Sequence, residues 1–220
     1  MTERIIAVGD IHGCSLALDT VIGAIRPTAQ DTLIFLGDYV DRGPDSRGVL
    51  ERVMKLSETC TVVPLLGNHE EMLLRALDGR AEFEFWLKFG GTACLASYDL
   101  RGAFYHPSFM PKEHLEFIRC CRDYYETVSH FFVHAYYDPE PPLHLQKWEA
   151  LRWASLPPNP IRHSSGKIAI VGHTAQRNGE ILDLGCVQCI DTYCHGGGWL
   201  TALDVVSGQR WQARATGHLR

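Results

Sequence analysis

Asp, His and Asn recur in this chain directly after short apolar runs. Ile5-Ile6-Ala7-Val8 leads into Gly9-Asp10-Ile11-His12-Gly13, and Leu33-Ile34-Phe35-Leu36 leads into Gly37-Asp38-Tyr39-Val40-Asp41-Arg42-Gly43. Val62-Val63-Pro64-Leu65-Leu66 leads into Gly67-Asn68-His69-Glu70. The pattern returns at Phe131-Phe132-Val133-His134 and at Ile168-Ala169-Ile170-Val171-Gly172-His173-Thr174. Oxygen and imidazole donors without cysteine suit a hard or borderline divalent ion such as Mn, Fe or Zn, and argue against a structural zinc. Asp10 and His12 are two apart, so an extended segment would turn both to one side. A cap or turn explains any one of these blocks taken alone. It does not explain two acids and an Arg set between Gly37 and Gly43, nor all the blocks in order.

The elements that must position these residues follow from periodicity. The apolar runs read as buried strands, and residues 15–25 carry a helical stripe through Leu16, Leu18, Val21, Ile22 and Ile25, ended by Pro27. Gly43-Pro44-Asp45-Ser46 starts a second helix that reaches about Leu56, and Asn68 opens a third through Met72, Leu73, Leu74 and Leu77. Strand-helix alternation repeated three times predicts an α/β layer fold with its strand ends gathered along one rim. Residues 81–122 predict a helical insertion over one edge of the site, whose aromatic stripe of Phe83, Phe85, Trp86 and Phe89 is expected to pack. A hairpin at 124–134 and a short helix at 148–156 come next. Strands follow at 167–171, 181–182, 186–190, 199–205 and 209–213.

Bulk properties bound the function classes. The 220 residues suit one domain spanning 1–220, and the charge of −5 without a Lys/Arg cluster gives no support to a long nucleic-acid partner. No apolar run approaches the roughly 20 residues of a membrane span, and the N-terminal run is not a signal peptide. The eight Cys are scattered, so they are expected reduced in a cytoplasmic, monomeric protein. Cys186-x-x-Cys189 has no second pair and reads as core. Ser164-Ser165-Gly166-Lys167 is not a phosphate loop, because Ile161 stands where the first glycine belongs.

Taken together, the five blocks resemble the phosphoprotein phosphatase branch of the calcineurin-like metallophosphoesterases. That branch includes the lambda phosphatase, bacterial protein phosphatases and symmetrical diadenosine tetraphosphatases. The resemblance implies a four-layer α/β/β/α sandwich with two mixed sheets. It implies two divalent ions, Mn foremost with Fe or Zn as alternatives. Asp10, His12 and Asp38 would hold one, and Asp38, Asn68, His134 and His173 the other, with Asp38 as the bridge. A hydroxide shared by the ions would attack phosphorus in line. Arg42 would hold phosphate oxygens, His69 would protonate the leaving alkoxide, and Asp41 would orient His69. The implied substrate is a phosphoprotein, at Ser or Thr ahead of Tyr, with a dinucleoside polyphosphate such as diadenosine tetraphosphate, or another small nucleotide, as the alternative. A metal-binding module without activity is a third reading, which the complete set with His69 and Arg42 disfavours.

The chain departs from that pattern in three places. Several relatives place a second phosphate-binding Arg soon after a Trp, whereas Arg152 precedes Trp153; Arg152 and Arg162 are the candidates. Tyr136-Tyr137 follow His134-Ala135 where Gly is common, which makes Tyr136 a candidate pocket wall. The tail at 190–199 resembles bacterial members. His106, His114, His130, His144, His163, His195 and His218 match no metal position, and of these His163 is placed nearest the substrate.

Overall fold

Alternation along the strands builds the layers. In the computed structural model, which describes residues 3–100 and 109–220, β1 (Ile5–Val8), β2 (Thr32–Phe35) and β3 (Thr61–Pro64) run parallel. His106 lies outside the described residues. β9 (Leu200–Asp204) and β10 (Arg210–Ala213) extend this sheet antiparallel, in the order β10-β9-β1-β2-β3. The second sheet joins β4 (Tyr124–Glu126), β5 (His130–Val133), β6 (Ile168–Val171), β8 (Val187–Cys189) and β7 (Leu182–Asp183) in that spatial order. Here β5, β6 and β8 are parallel, and both edge pairs are antiparallel.

Successive residues point to opposite faces of a strand, and both faces of both sheets are buried. Ile6, Val8, Leu33 and Phe35 face one core, shared with the helices. Ala7, Ile34 and Leu36 face the other way and meet Phe132, Ile170 and Ile190 between the sheets. Phe131, Val133, Ala169, Val171 and Val187 then face a third core with Tyr137, Leu143 and Leu151. The apolar runs read so strongly because each strand is covered on both sides.

Helices α1 (Ser15–Ile25) and α2 (Ser46–Leu56) cover the first sheet. α2 is capped by Asp45, whose carboxylate accepts from the Gly48 N–H at 2.9 Å, while α1 ends at a left-handed Arg26 just before Pro27. Leu16, expected to face inward, is exposed; the buried face of α1 runs through Ala17, Leu18, Val21 and Ile25. α3 (Asn68–Ala76) packs against α4 (Arg80–Trp86), which passes through a π-turn at Leu87–Gly91 into α5 (Thr92–Ser97). α6 (Lys112–Arg119) rests on α2. The fourth layer is thin, consisting of α7 (Trp148–Trp153) and a 3-10 turn at Leu143–Leu145. α7 is shorter than its apolar pattern predicts because the backbone turns extended at Ala154. Among the described residues no helix is long and apolar enough to cross a membrane. All eight cysteines are free.

The entries to β1 and β2 are tied by one ion pair. Arg4 donates to both oxygens of Asp31 at 2.8 and 2.6 Å, and the Thr28 N–H adds a third bond at 2.6 Å. The Arg4 hydrogen bond holds the Asp31 carboxyl down to about 2, below its ordinary 3.8. A depressed carboxylate pKa contributes stability above the unfolded value and loses it as pH falls through the folded one. Asp31→Asn should therefore melt lower than wild type near neutral pH. The gap should close between about pH 4 and about pH 2. Thermal melts by circular dichroism across that range check this, and a pH-independent gap would contradict it.

Candidate metal centre and active site

Parallel strands bring their C-terminal ends to one rim, and the polar blocks follow those ends. β1 delivers Asp10 and His12, β2 delivers Asp38, and β3 delivers Asn68 at the first turn of α3. β5 delivers His134 and β6 delivers His173. The segment after β1 is not extended, as its two-residue spacing had suggested. The Ile11 and His12 N–H groups both donate to the Asp38 carbonyl, at 3.1 and 2.8 Å, so the chain curls round it. His12, Asp38, Asp41, Arg42 and His173 all have positive φ, between 45 and 71°. Such backbone costs a non-glycine residue about 1–2 kcal/mol, so other contacts must impose it.

Glu70 imposes much of it. Its buried carboxylate accepts from Asp38 N and Gly67 N on one oxygen (2.8 and 3.1 Å), and from Tyr39 N and Val40 N on the other (2.8 and 3.2 Å). Ser46 Oγ takes the Asp41 N–H at 3.0 Å, and the Gly90 carbonyl takes that of Arg42 at 3.2 Å. Burial pushes the Glu70 carboxyl up to about 8, with the Asp38 charge adding to it, while the backbone donors pull it down.

The imidazoles are fixed from behind. His12 Nδ1–H donates to the Val40 carbonyl at 3.0 Å, and His134 Nδ1–H to the Leu36 carbonyl at 2.8 Å. Each then turns an Nε2 lone pair toward Asp38, at 3.3 Å from Oδ2 and 3.4 Å from Oδ1 respectively. Asn68 Oδ1 lies 3.0 Å from His134 Nε2 and 2.9 Å from His173 Nδ1. Burial holds His12, His134 and His173 below their ordinary values, with His173 at about 4. Burial alone would raise Asp38; the imidazoles of His134, His69 and His12 outweigh it and hold the carboxylate well below its usual range. Two groups of donor atoms result, His12-Asp38-His69 and Asp38-His134-His173, each within 4.8 Å. They share Asp38 and are consistent with a dinuclear metal centre.

His69 completes this wall. Its Nδ1 meets Asp41 Oδ2 at 2.6 Å, and its buried Nε2 has no hydrogen-bond partner among the described residues and sits 4.0 Å from Asp38 Oδ2. Burial lowers its pKa, but Asp38 and the Asp41 hydrogen bond outweigh that and raise it. Asp41, raised by burial, is held by Trp86 Nε1–H at 3.0 and 2.9 Å to its two oxygens. The aromatic stripe was expected only to pack, so this role was missed. A buried indole N–H needs an acceptor, and that requirement was the available signal. Arg42 is exposed, with Nη1 2.8 Å from His12 Nε2. Gly90, at φ 114°, lies so close beneath Arg42 that a Cβ there would press on its backbone.

Other expectations fare differently. Asp10 turns its carboxylate to the His173 N–H at 3.1 Å and stands outside both donor groups. Its carboxyl is raised well above the ordinary value by burial and by Asp191. Asp191 follows β8 as Asp10 follows β1, and burial raises it to about 6; the apolar run before it was the overlooked signal. Arg152 is engaged with Asp123 at 2.9 Å and with Glu71 at 3.2 Å. Arg162 is exposed and donates to the Gly166 carbonyl at 3.0 Å, and Tyr136 packs on Tyr137 against the outer core. His163, placed nearest the substrate by sequence, is buried and latches its own loop through Ser165 and the Pro141 carbonyl. His195, read as ordinary, stands with its ring 4.6 Å from that of His12.

Two substitutions probe this scaffold. In Glu70→Gln the amide nitrogen accepts nothing whichever way the side chain turns. Two buried N–H groups lose their acceptor, at a cost of about 2–6 kcal/mol. The melting temperature should fall by roughly 5–15 °C. Trp86→Phe keeps the ring but removes the Asp41 donor. It should leave metal content, read by elemental analysis, at the wild-type level while turnover drops about tenfold. Normal turnover in Trp86→Phe would show that Asp41 needs no such anchor.

Comparison with known proteins agrees with this architecture. Over 73 residues, 33% of this chain and 25% of the relative, the sequence is 47% identical to a symmetrical bis(5'-nucleosyl)-tetraphosphatase of Acidovorax sp. (strain JS42). Over 87 residues, 38% of this chain and 37% of the relative, it is 42% identical to serine/threonine-protein phosphatase 1 of Salmonella typhimurium (strain LT2). A crystal structure of a candidate diadenosine tetraphosphatase superposes with a TM-score of 0.70 at 20% identity, covering 97% of this chain and 94% of that one. Residues 3–192 match the calcineurin-like phosphoesterase family, and the chain belongs to that family.

Proposed function

We propose that the protein is a metal-dependent phosphomonoesterase acting on phosphoprotein, at Ser and Thr ahead of Tyr. The observation that carries the metal centre is the meeting of lone pairs at Asp38. With Nδ1–H of His134 spent on a carbonyl, its Nε2 faces Asp38 Oδ1 and Asn68 Oδ1 with no proton among the three atoms, an arrangement a cation satisfies. Asp10, His12 and Asp38 would hold one divalent ion, Mn first among the candidates, and Asp38, Asn68, His134 and His173 the second. Bound there, the ions would activate water and draw charge from the phosphoryl oxygens.

The chain's own residues supply the rest. Arg42, exposed at the rim, is placed to bind phosphoryl oxygens through its planar fork. His69 is oriented by Asp41 and presents an Nε2 without a partner among the described residues, the position from which a proton reaches a leaving oxygen. That acid matters most for a poor leaving group. The alkoxide of Ser or Thr needs a proton far more than a nitrophenolate or a nucleotide phosphate does, and this supports the phosphoprotein reading. The likeness to the Acidovorax tetraphosphatase favours the second reading, hydrolysis of a dinucleoside polyphosphate.

Asp38→Asn should lose bound metal and activity together. His69→Asn should keep its metal but lose about 10²–10⁴ in turnover on phosphoserine peptide, and much less on p-nitrophenyl phosphate. Steady-state kinetics on the Mn-loaded enzyme, with phosphoserine, phosphothreonine and phosphotyrosine peptides beside diadenosine tetraphosphate, decides the substrate. A preference of about a hundredfold for the dinucleotide would reverse the ranking, and a His69→Asn enzyme at full speed on phosphoserine would remove the acid assignment.

A further inference from the structure

His195 faces the same site from the tail of the chain. It lies in a 3-10 turn at Cys194–Gly196 between β8 and β9, and its half-buried ring meets His12 edge-on at 4.6 Å. The same His12 ring meets Arg42 Nη1 at 2.8 Å through its Nε2 and the His69 ring at 4.7 Å, so His195 joins them around one imidazole. Neither of its ring nitrogens has a hydrogen-bond partner among the described residues, whereas His12, His69, His134 and His173 are each held through a ring nitrogen.

The turn is built to hold that ring. Tyr193, a non-glycine residue at φ 64°, sits 4.9 Å from the His195 ring, and Arg177 covers the tyrosine at 5.5 Å. Gly196 leaves room for the tyrosine, since a Cβ there would collide with its ring. A bulky residue in left-handed backbone is costly, and such strain clusters where a side chain must be aimed. Here the strained residue backs an imidazole whose nitrogens are open. The two arginines considered as second phosphate holders are both committed elsewhere, Arg152 to two carboxylates and Arg162 to a carbonyl.

We infer that His195 is a substrate-binding residue that donates an N–H to the phosphoryl group beside Arg42, on the His12 side of the site. An imidazole carries at least one N–H donor, and a phosphoryl oxygen accepts it. This rests on the phosphoesterase reading, and the following test separates the two. His195→Phe keeps an aromatic plane between His12 and Tyr193 but has no N–H; His195→Gln restores a donor at similar reach. Inorganic phosphate is titrated calorimetrically into the Mn-loaded wild type and both variants. KM and kcat for p-nitrophenyl phosphate, metal content and melting temperature are measured alongside.

His195→Phe should weaken phosphate binding and raise KM about tenfold with metal content and melting temperature unchanged. His195→Gln should recover to within about threefold of wild type. Unchanged phosphate affinity in His195→Phe, equal losses in both variants, or loss of metal would each overturn the assignment. A wild type that binds phosphate but cleaves no ester sinks the hydrolase reading, and the phosphate titration then still decides His195. A wild type that binds no phosphate overturns both.

Discussion

The Glu70 carboxylate is the contact on which the site depends. Backbone N–H groups must be satisfied when buried, and the loop after β2 has no strand partner to do it. Glu70 supplies acceptors for three consecutive N–H groups of that loop and one from the loop after β3. With those groups anchored on one side, the carbonyls of the same loop turn to the other. The Asp38 carbonyl receives Ile11 and His12, the Tyr39 carbonyl receives Gly13, and the Val40 carbonyl receives the His12 ring. The left-handed backbone at Asp38, Asp41 and Arg42 is therefore over-determined, and so are the side chains it aims. One carboxylate thus couples three strand ends before any ligand is considered.

The electrostatics follow from the same packing. Asp10, Asp38, Asp41, Glu70 and Asp191 are all buried within one rim, among imidazoles of which burial lowers His12, His134 and His173. Buried carboxylates raise each other's pKa, as Asp191 and Asp38 do for Asp10. Each is stabilised in its own way: Glu70 by backbone donors, Asp41 by His69 and Trp86, Asp38 by a ring of imidazoles. Asp10 and Asp191 have only weaker support, from the His173 and Tyr193 N–H groups. A rim this rich in carboxylate and imidazole donors suits cations, and the sharing of Asp38 by both donor groups is consistent with two of them.

What the sequence made legible was local. A buried strand shows as a continuous apolar run, and the residue at its end shows as the first polar one, so the blocks at Asp10, Asp38, Asn68, His134 and His173 could be read directly. So could the alternation of strands and helices and most element boundaries. The failures concern partners far away in the chain. That Glu70 grips a loop some 30 residues earlier, or that Trp86 anchors Asp41, 45 residues earlier, leaves no local trace. An indole in an aromatic stripe looks like packing until its N–H is followed. Asp191 and His195 were passed over because their segment was read only as a tail resembling bacterial members, although the apolar run before Asp191 repeats the pattern at Asp10. His163 was misplaced for the converse reason: a histidine near a candidate arginine looks functional, but its nitrogens close its own loop.

The remaining constraint is that the centre belongs to neither sheet alone. Asp10, His12 and Asp38 come from the first sheet, while His134, His173 and Asp191 come from the second, and the contacts between them span up to 163 residues. Their spacing is set by the apolar layer between the sheets, where Ala7, Ile34 and Leu36 meet Phe132, Ile170 and Ile190. Close packing makes such a layer nearly incompressible, so a change of side-chain volume there shifts donor atoms that it never touches. Any ion that binds only the assembled rim must in turn stabilise the contact between the sheets, by mass action on the folded state. The inter-sheet core and the donor set are therefore one thermodynamic unit. The helical insertion and the tail turn attach to that unit through Trp86, which holds Asp41, through Gly90, which takes the Arg42 N–H, and through the His195 ring against His12.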